Sequence, residues 1–164
     1  MKILDVGCGT DKVKGAIGID RTALPGVDIV HDLNKYPWPI EDESYDEIYM
    51  LDIIEHLNDT IKTMEEAHRI LKKNGKLYIR VVYWNHIYSY SDPTHVKFFS
   101  EITFDFFTGK RREYYTKARF KIDKFEYTYD SRAKKLFKST RIMRFLSYFL
   151  CNMIDGMRIT LVKK

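Results

Sequence analysis

The sequence predicts an α/β fold built on a mostly parallel β-sheet, and three observations support that class. Short apolar segments alternate with polar connections and one long amphipathic segment, which is the pattern of strands separated by helices. The first apolar segment runs directly into a Gly-x-Gly turn. The 164 residues, 45% hydrophobic and 31% charged, suit one folded domain and exclude disordered and low-complexity classes.

The first half of the chain supplies the predicted parallel strands. Four short apolar segments are predicted strands at 3–6, 16–19, 27–30 and 45–51; they end at Gly7, Asp20, His31-Asp32 and Asp52. Asp59 or Thr60 then caps a predicted helix that Asn74-Gly75 ends. Its apolar side chains share one face and are Ile61, Met64, Ala67, Ile70 and Leu71. Residues 76–82 follow as the fifth strand.

The second half predicts a helix at 100–107 and a late antiparallel strand pair. The pair consists of residues 120–129, where apolar and polar residues alternate, and residues 158–162. Between them, residues 133–153 are predicted to form one basic amphipathic helix. We expect its apolar face to lie in the core and its basic face to be solvated, or to bind phosphate on a nucleic acid or at a membrane.

Charge divides the chain unequally. Residues 1–109 carry 12 Lys/Arg and 18 Asp/Glu, a net of −6, whereas residues 110–164 carry 16 and 5, a net of +11. Such asymmetry indicates a nucleic acid, an anionic membrane surface or an anionic substrate, without choosing among them. Two cysteines form no disulfide framework, and neither a signal peptide nor a stretch of about 20 apolar residues is present. These features predict a cytoplasmic protein.

The turn after the first strand carries the clearest chemistry. Glycines at positions 7 and 9 permit positive φ and let a ligand approach the backbone at the carboxyl end of the strand. Asp5 lies inside that strand, where a carboxylate is costly unless it fixes the turn or a cationic ligand. Gly-x-Gly alone is equally consistent with a plain tight turn.

The segment Asp5-Val6-Gly7-Cys8-Gly9-Thr10 resembles the first motif of class I S-adenosylmethionine (SAM)-dependent methyltransferases, of the type 11-like group. Further matching motifs follow in order over residues 3–107. They are Gly18-Ile19-Asp20, Asp32-Leu33, Tyr45-Asp46-Glu47-Ile48, Glu55-His56-Leu57, Arg69 to Gly75, and Asp92-Pro93-Thr94-His95. The resemblance implies a Rossmann-like, three-layer α/β/α methyltransferase fold over residues 1–164, with a cofactor-binding core at 1–109 and a basic substrate- or partner-facing part at 110–164.

The resemblance also implies SAM as the cofactor and assigns residues to it. Asp20 would bind the ribose hydroxyls, and Asp32 with Leu33 would lie near the adenine. The full set of implied cofactor-binding residues is Asp5, Gly7, Cys8, Gly9, Asp20, Arg21, Asp32, Leu33, Leu51 and Asp52. The acids have structural alternatives as turn, cap or solvent-facing residues, and Cys8 as a small packing residue. No metal site is predicted.

One departure from the family pattern stands out. Only nine residues separate Thr10 from Asp20, too few for the helix that a normal connection carries. We therefore expect a tight loop there and a minimal fold without the usual first helices. The cofactor pocket is then expected to be open, and a partner or a homodimer would cover it.

Two histidines are candidates for catalysis. His95 lies in the polar loop after the fifth strand, where acceptors bind in this fold, and can act as a general base near neutral pH. Its alternative role is to fix the Asp92 loop. His56 is the second candidate, with a structural alternative behind Glu55.

The predicted function is SAM-dependent methyl transfer to an oxygen or nitrogen of a small or medium acceptor, such as a metabolite, sugar or lipid. Two alternatives remain open: an RNA-directed methyltransferase or RNA-binding module that uses the basic part, and a non-catalytic SAM-binding or interaction subunit. Leu51-Asp52-Ile53-Ile54 stands where an Asn- or Asp-Pro-Pro motif would follow the fourth strand. This argues against the enzymes that methylate the adenine amino group of nucleic acid.

Overall fold

The computed structural model describes residues 1–164 and contains a seven-stranded sheet in the order β3-β2-β1-β4-β5-β7-β6. The strands are β1 (Ile3–Val6), β2 (Ile17–Asp20), β3 (Ile29–Val30), β4 (Tyr45–Leu51), β5 (Leu71–Val82), β6 (Phe120–Tyr129) and β7 (Ile154–Lys163). The helices are α1 (Thr60–Ile70), α2 (Tyr88–Ser91), α3 (Ser131–Leu136) and α4 (Thr140–Leu146). Strands β1 to β5 are parallel, and β7 runs antiparallel to β5 and β6. This confirms the predicted fold class.

Helix α1 forms as the sequence predicts at its start and ends earlier than predicted. The Asp59 carboxylate accepts the backbone N–H of Lys62 at 3.0 Å, which caps the helix. Its buried face includes Met64, Ala67 and Ile70. Leu71 is extended and pairs with Tyr45, so burial of Leu71 in the sheet ends the helix before Asn74-Gly75.

The two faces of the sheet are covered unequally. On one face, α1 and a 3-10 helix at Glu101–Phe107 bury their apolar side chains with those of the central strands. On the opposite face, Tyr49 and Tyr78 stack with their ring centroids 4.5 Å apart and are only partly buried. Arg80 and Arg158 are exposed there. We call this second surface the open face. The connection between β1 and β2 contains no helix, in line with the predicted absence of the first helices.

A tight loop replaces the first helix, as predicted. The backbone N–H of Val13 donates to Oδ2 of buried Asp5 at 2.7 Å. Asp28 accepts the backbone N–H of Gly18 at 2.7 Å and pairs with Lys12 at 2.6 Å. Two carboxylates therefore hold residues 7–16 against β1 and β2 where a helix would otherwise pack.

The prediction of a single helix over residues 133–153 is wrong. The segment forms two short helices, because Phe137 is extended and the Ser139 side chain caps a new helix by accepting the N–H of Ile142. Its apolar face is also not core: Met143 is buried, whereas Ile142, Phe145 and Phe149 are exposed. No helix of the chain has the length and apolar composition needed to cross a membrane.

Candidate cofactor and acceptor site

A cavity of about 320 Å³ opens where β2, β3 and β4 end. Its lining residues come from the segments that follow these strands and from the loop after β5. They are Asp20, Arg21, Thr22, Asp32, Leu33, Asn34, Asp52, Ile53, His56, Leu57 and Thr94. The carboxyl edge of a parallel sheet is where open α/β folds bind ligands.

Asp20 stands at the end of β2 with both carboxylate oxygens directed at the glycine turn and the next loop. Oδ2 accepts the backbone N–H of Gly9 at 3.0 Å, and Oδ1 accepts that of Thr22 at 3.0 Å. A carboxylate has about four acceptor positions, so both oxygens retain capacity for hydroxyl donors. The side chain is thus pre-oriented on the cavity wall.

Asp32 and Leu33 form the next part of the wall. Oδ1 of Asp32 accepts the backbone N–H of Asn34 at 3.1 Å. Leu33 is buried, and its carbonyl accepts Nε1–H of buried Trp38 at 3.0 Å. The backbone N–H of Trp38 donates to Glu66 of α1 at 2.8 Å. Trp38 therefore links the segment of Asp32 and Leu33 to α1 through hydrogen bonds.

Asp52 adds a third carboxylate directly after β4. Its backbone is left-handed, with φ of 57°, and its Oδ2 accepts Nε–H of Arg80 at 2.8 Å. Among the lining residues, three carboxylates therefore stand against one arginine, Arg21, while Arg80 neutralises Asp52 from outside the lining. The wall is electronegative and suits a cationic ligand.

The glycine turn lies beside the cavity and has the predicted backbone. Gly7 and Gly9 have positive φ of 71° and 49°. A Cβ at Gly7 would come within 2.8 Å of three side-chain atoms of Ile53, so no larger residue fits. A Cβ at Gly9 would meet nothing within 4 Å, which leaves open space above the turn.

Five of the ten predicted cofactor residues do not line the cavity: the two glycines of the turn beside it, and Asp5, Cys8 and Leu51. Asp5 is buried and holds Val13, and burial raises the pKa of its carboxyl although the Val13 N–H opposes that shift. Cys8 is buried, and its sulfur lies where a Cβ at Gly18 would stand. Leu51 faces the open face beside Tyr49 and Tyr78. The structure thus brings together Asp20, Arg21, Asp32, Leu33 and Asp52.

The two candidate histidines lie together, and His56 lines the cavity whereas His95 does not. Their ring centroids are 4.7 Å apart, and Asp92 completes a group in which one ring nitrogen of each histidine and one carboxylate oxygen lie within 4.8 Å of one another. The Thr94 hydroxyl donates to Asp92 Oδ1 at 2.6 Å and lies 2.9 Å from Nδ1 of His56. Because that hydroxyl proton points to Asp92, His56 donates from Nδ1.

His95 has the same tautomer for a similar reason. Its Nδ1 lies 3.1 Å from the carbonyl oxygen of Ser89, which can only accept. In the neutral form of either ring, these partners place the proton on Nδ1, which leaves the lone pair of Nε2 free. The sequence predicts no metal here, and the spacing permits either proton transfer or a metal ion.

Glu55 precedes His56 in the chain and lies near the charge of His95. It is buried, both carboxylate oxygens lack a hydrogen-bond partner, and burial raises its pKa to about 7. Its backbone carbonyl accepts the N–H groups of Val96 and Lys97 at 2.9 and 3.1 Å. Glu55 therefore anchors the loop that carries His95.

Sequence reasoning missed five lining residues. They are Thr22, Asn34, Ile53, Leu57 and Thr94. All five lie next to an assigned residue, so proximity to a motif was the signal that could have found them. Thr94 belongs to the quoted Asp92-Pro93-Thr94-His95 motif, but its bond to His56 joins loops 38 residues apart and has no local signature.

Comparison with known proteins adds a family and a set of folds. A family model described as a methyltransferase domain matches residues 1–119. A SAM-dependent methyltransferase from Archaeoglobus fulgidus matches with a TM-score of 0.70 at 21% identity, covering 99% of this chain and 86% of that one. No protein of curated function matches the sequence.

Two further solved structures are similar over 99% of this chain. The methyltransferase in complex with the Trm112 activator from Haloferax volcanii has a TM-score of 0.61 at 17% identity and is covered over 81% of its length. A Thermotoga maritima protein described as a possible histamine N-methyltransferase has a TM-score of 0.64 at 19% identity, with 82% covered. At these identities the likeness describes the fold alone.

Proposed function

The chain belongs to the methyltransferase domain family and is a SAM-dependent methyltransferase, and from this premise we propose that it methylates an oxygen or nitrogen of a small or medium-sized acceptor. The observation that carries the proposal is the cavity itself. Its lining includes the carboxylates of Asp20, Asp32 and Asp52 together with the imidazole of His56, and the His95 ring lies behind it with the two ring centroids 4.7 Å apart. A donor side and an acceptor side are thus combined in one cleft.

The residues on the donor side fit SAM. Asp20 offers two carboxylate oxygens to the ribose diol, and Asp32 with Leu33 offers an acceptor and an apolar surface to the adenine. The open space above Gly9 leaves room for a ligand to approach the backbone. The electronegative wall favours the positive sulfonium. We also assign Arg21 to this side because it lines the same cavity.

Bound SAM supplies an activated methyl group. The chain's own residues supply orientation, which is the main source of acceleration in an in-line transfer, and a base where the acceptor must lose a proton. We assign that base to His95, whose ring is held by the Ser89 carbonyl, with His56 as its neighbour. Acceptors with a hydroxyl or a protonated amine fit this arrangement.

The donor-side assignment is tested by titration calorimetry with SAM and with its demethylated product. We expect Asp20→Asn to weaken binding by about tenfold or more, because hydrogen bonds to a charged group contribute about 1.5–3 kcal/mol. Asp11→Asn, an exposed acid in the loop outside the lining, is the matched control and leaves binding unchanged. Full affinity in Asp20→Asn would refute the ribose assignment.

The acceptor-side assignment is tested by turnover on a panel of hydroxyl and amine acceptors. His95→Gln is expected to lower kcat by about 100-fold or more while SAM affinity stays as in the wild type. A chelator such as EDTA is expected to leave turnover unchanged. Loss of turnover with EDTA, restored by Zn²⁺ or Mn²⁺, would show instead that the imidazoles hold a metal.

One observation favours a second candidate, a non-catalytic SAM-binding subunit. Asp5 and Cys8 are engaged with the short loop rather than the cavity, so the glycine side of the site has fewer side-chain groups than the sequence predicts. One solved relative is a complex with the Trm112 activator, and a homodimer also stays a prediction for this chain. SAM binding without turnover on any acceptor, alone and after dimer formation, would favour this candidate.

A further inference from the structure

The exposed apolar side chains of the chain are concentrated in two segments. Of 17 large hydrophobic residues that are exposed, 13 lie within residues 84–102 or 131–150. Those of the second segment are Leu136, Ile142, Phe145, Tyr148, Phe149 and Leu150. Leu136 is 78% exposed and Phe149 is 74% exposed, which is unusual for such residues in a folded domain. We call the two segments together the docking surface.

The second segment is also purely basic. Residues 131–150 contain six Lys/Arg and no Asp/Glu. Arg132 pairs with Asp130, and Arg144 lies over the Tyr127 ring at 5.2 Å. The other four cations, Lys134, Lys135, Lys138 and Arg141, are exposed with no carboxylate within salt-bridge distance. Free positive charge and free apolar surface thus occupy the same 20 residues.

The docking surface is held together by buried polar contacts. Nε2 of His86 lies 3.1 Å from Asp130, which caps α3 through the backbone N–H groups of Arg132 and Ala133. Asn85 donates to the Ser147 carbonyl at 2.9 Å, behind α4. The two segments therefore form one preformed surface. Buried hydrogen bonds hold its backbone in place, whereas its apolar side chains are exposed to solvent.

We propose that this surface docks the protein on an anionic lipid membrane. Amphipathic helical segments rich in Lys/Arg and in Phe, Leu or Trp lie in the membrane interface, with the apolar groups in the acyl boundary and the cations at anionic headgroups. A nucleic acid would engage the cations, but it would leave the aliphatic side chains of Leu136, Ile142 and Leu150 in water. Of these two partners, the lipid surface is the one that accounts for both properties.

The position of the surface relates it to the catalytic cleft. The first segment begins directly after β5, at the carboxyl edge of the sheet, and includes the loop of His95. Docking would therefore set the acceptor side of the cleft near the headgroup region. The proposal goes beyond methyl transfer, and it is tested by binding alone, so it can fail or hold independently of the proposed activity.

The two tryptophans provide a direct readout. Trp84 lies on the docking surface and is 46% exposed, whereas Trp38 is 1% exposed in the core. The full chain is expected to sediment with vesicles of equimolar phosphatidylserine and phosphatidylcholine, and these vesicles are expected to shift its tryptophan emission to the blue. Trp84→Phe should abolish the shift without abolishing sedimentation. Vesicles of phosphatidylcholine alone should bind at least about tenfold more weakly.

Two double variants separate the apolar and the charged contributions. Phe145→Ser/Phe149→Ser and Lys134→Gln/Lys138→Gln should each lower binding to the mixed vesicles by at least about tenfold, because each basic residue near an anionic surface and each buried apolar group contributes. The matched controls are Tyr114→Ser and Lys73→Gln/Lys117→Gln, exposed residues outside the surface, and they should bind as the wild type does. All variants should retain SAM binding, which shows that they are folded.

Three results would overturn the proposal. One is that the Phe145→Ser/Phe149→Ser variant binds the mixed vesicles as strongly as the wild type does. Another is salt-sensitive binding to RNA with no binding to vesicles. A third is a homodimer in sedimentation velocity that this double variant dissociates, without vesicle binding, since the surface would then join two copies of the chain.

Discussion

The acidic residues 1–109 and the basic residues 110–164 use their charged side chains differently. In the first region, Asp5 and Asp20 each accept a backbone N–H from a neighbouring loop, and Asp28 accepts that of Gly18 on β2. In the second region, Lys134, Lys138 and Arg141 have no carboxylate partner. Carboxylates thus organise the first region internally, whereas these three cations of the C-terminal part have no carboxylate partner within the chain.

The same contrast holds for apolar side chains. Around the cofactor site, Leu33, Ile54 and Leu57 are buried. In the C-terminal part, Phe145 and Phe149 pack on each other, with ring centroids 5.5 Å apart, and remain exposed. Stability is therefore expected to depend strongly on the first region and weakly on the outer surface of the second.

The largest expected effect is at the glycine turn. Gly7→Ala combines left-handed backbone strain with a clash against Ile53, so we expect a loss of roughly 2–5 kcal/mol in unfolding free energy. Gly15→Ala is the matched control, because it has positive φ with nothing near its Cβ, and should cost only about 1–2 kcal/mol. Urea denaturation measures both. Equal losses of unfolding free energy in the two variants would show that the Ile53 side chain moves aside without destabilising the fold.

The next effect is a pH dependence from Glu55. Its pKa is about 7 in the folded protein against 4.5 for the unfolded chain, so the folded state keeps a proton that the unfolded chain has lost. Unfolding free energy should therefore fall as pH rises from about 4.5 to 7, by about 3 kcal/mol in total. Glu55→Gln should flatten this slope in urea denaturation at several pH values. Glu41→Gln, an exposed acid, should leave it unchanged.

A smaller effect is expected where the two regions join. His86→Phe removes a buried partner of Asp130, whose pKa is held well below its usual range mainly by Arg132 and also by His86. We expect a loss of about 1–3 kcal/mol in unfolding free energy. Arg132→Gln breaks the ion pair that Arg132 makes with the same carboxylate, and solvent screens that pair. Its loss of unfolding free energy in urea denaturation should therefore be clearly smaller. Equal losses of unfolding free energy in the two variants would show that the exposed pair with Arg132 stabilises this junction as much as the buried contact with His86.

The smallest effect is expected on the outer face of the C-terminal part. Phe149→Ser removes an exposed ring that packs on Phe145, so the change in unfolding free energy should stay within about 0.5 kcal/mol. Thermal denaturation of wild type and variant checks this. A loss of about 2 kcal/mol or more would mean that the ring supports the fold and that the contrast between the regions fails.

The parts of the site that depend on neighbouring residues could be predicted from the sequence. Gly7, Asp20 and Asp32 lie at strand ends or just after them, and the carboxyl ends of parallel strands meet at one edge of the sheet. Leu51 shows the limit of this kind of prediction. It is the last residue of β4, directly before Asp52, yet it lies on the open face and not in the cavity, because successive residues of a strand alternate between the two faces.

What could not be predicted depends on contacts between distant segments. Residues 133–153 have a continuous helical pattern, yet the Ser139 cap divides them, and nothing in the chain covers Phe145 and Phe149. Periodicity shows that a face is apolar and does not show what packs on it. Thr94 was missed for the same reason, since its role comes from a bond to His56.

The short loop after β1 has a consequence for the order in which the sheet assembles. Leu4 pairs with Ile17 only 13 residues later, whereas Val82 pairs with Gly156 more than 70 residues later. Closing a short loop loses less chain entropy than closing a long one, so local pairings form sooner. We expect β1 and β2 to nucleate the sheet and β7 to complete it, so that the cofactor edge matures before the basic edge during folding.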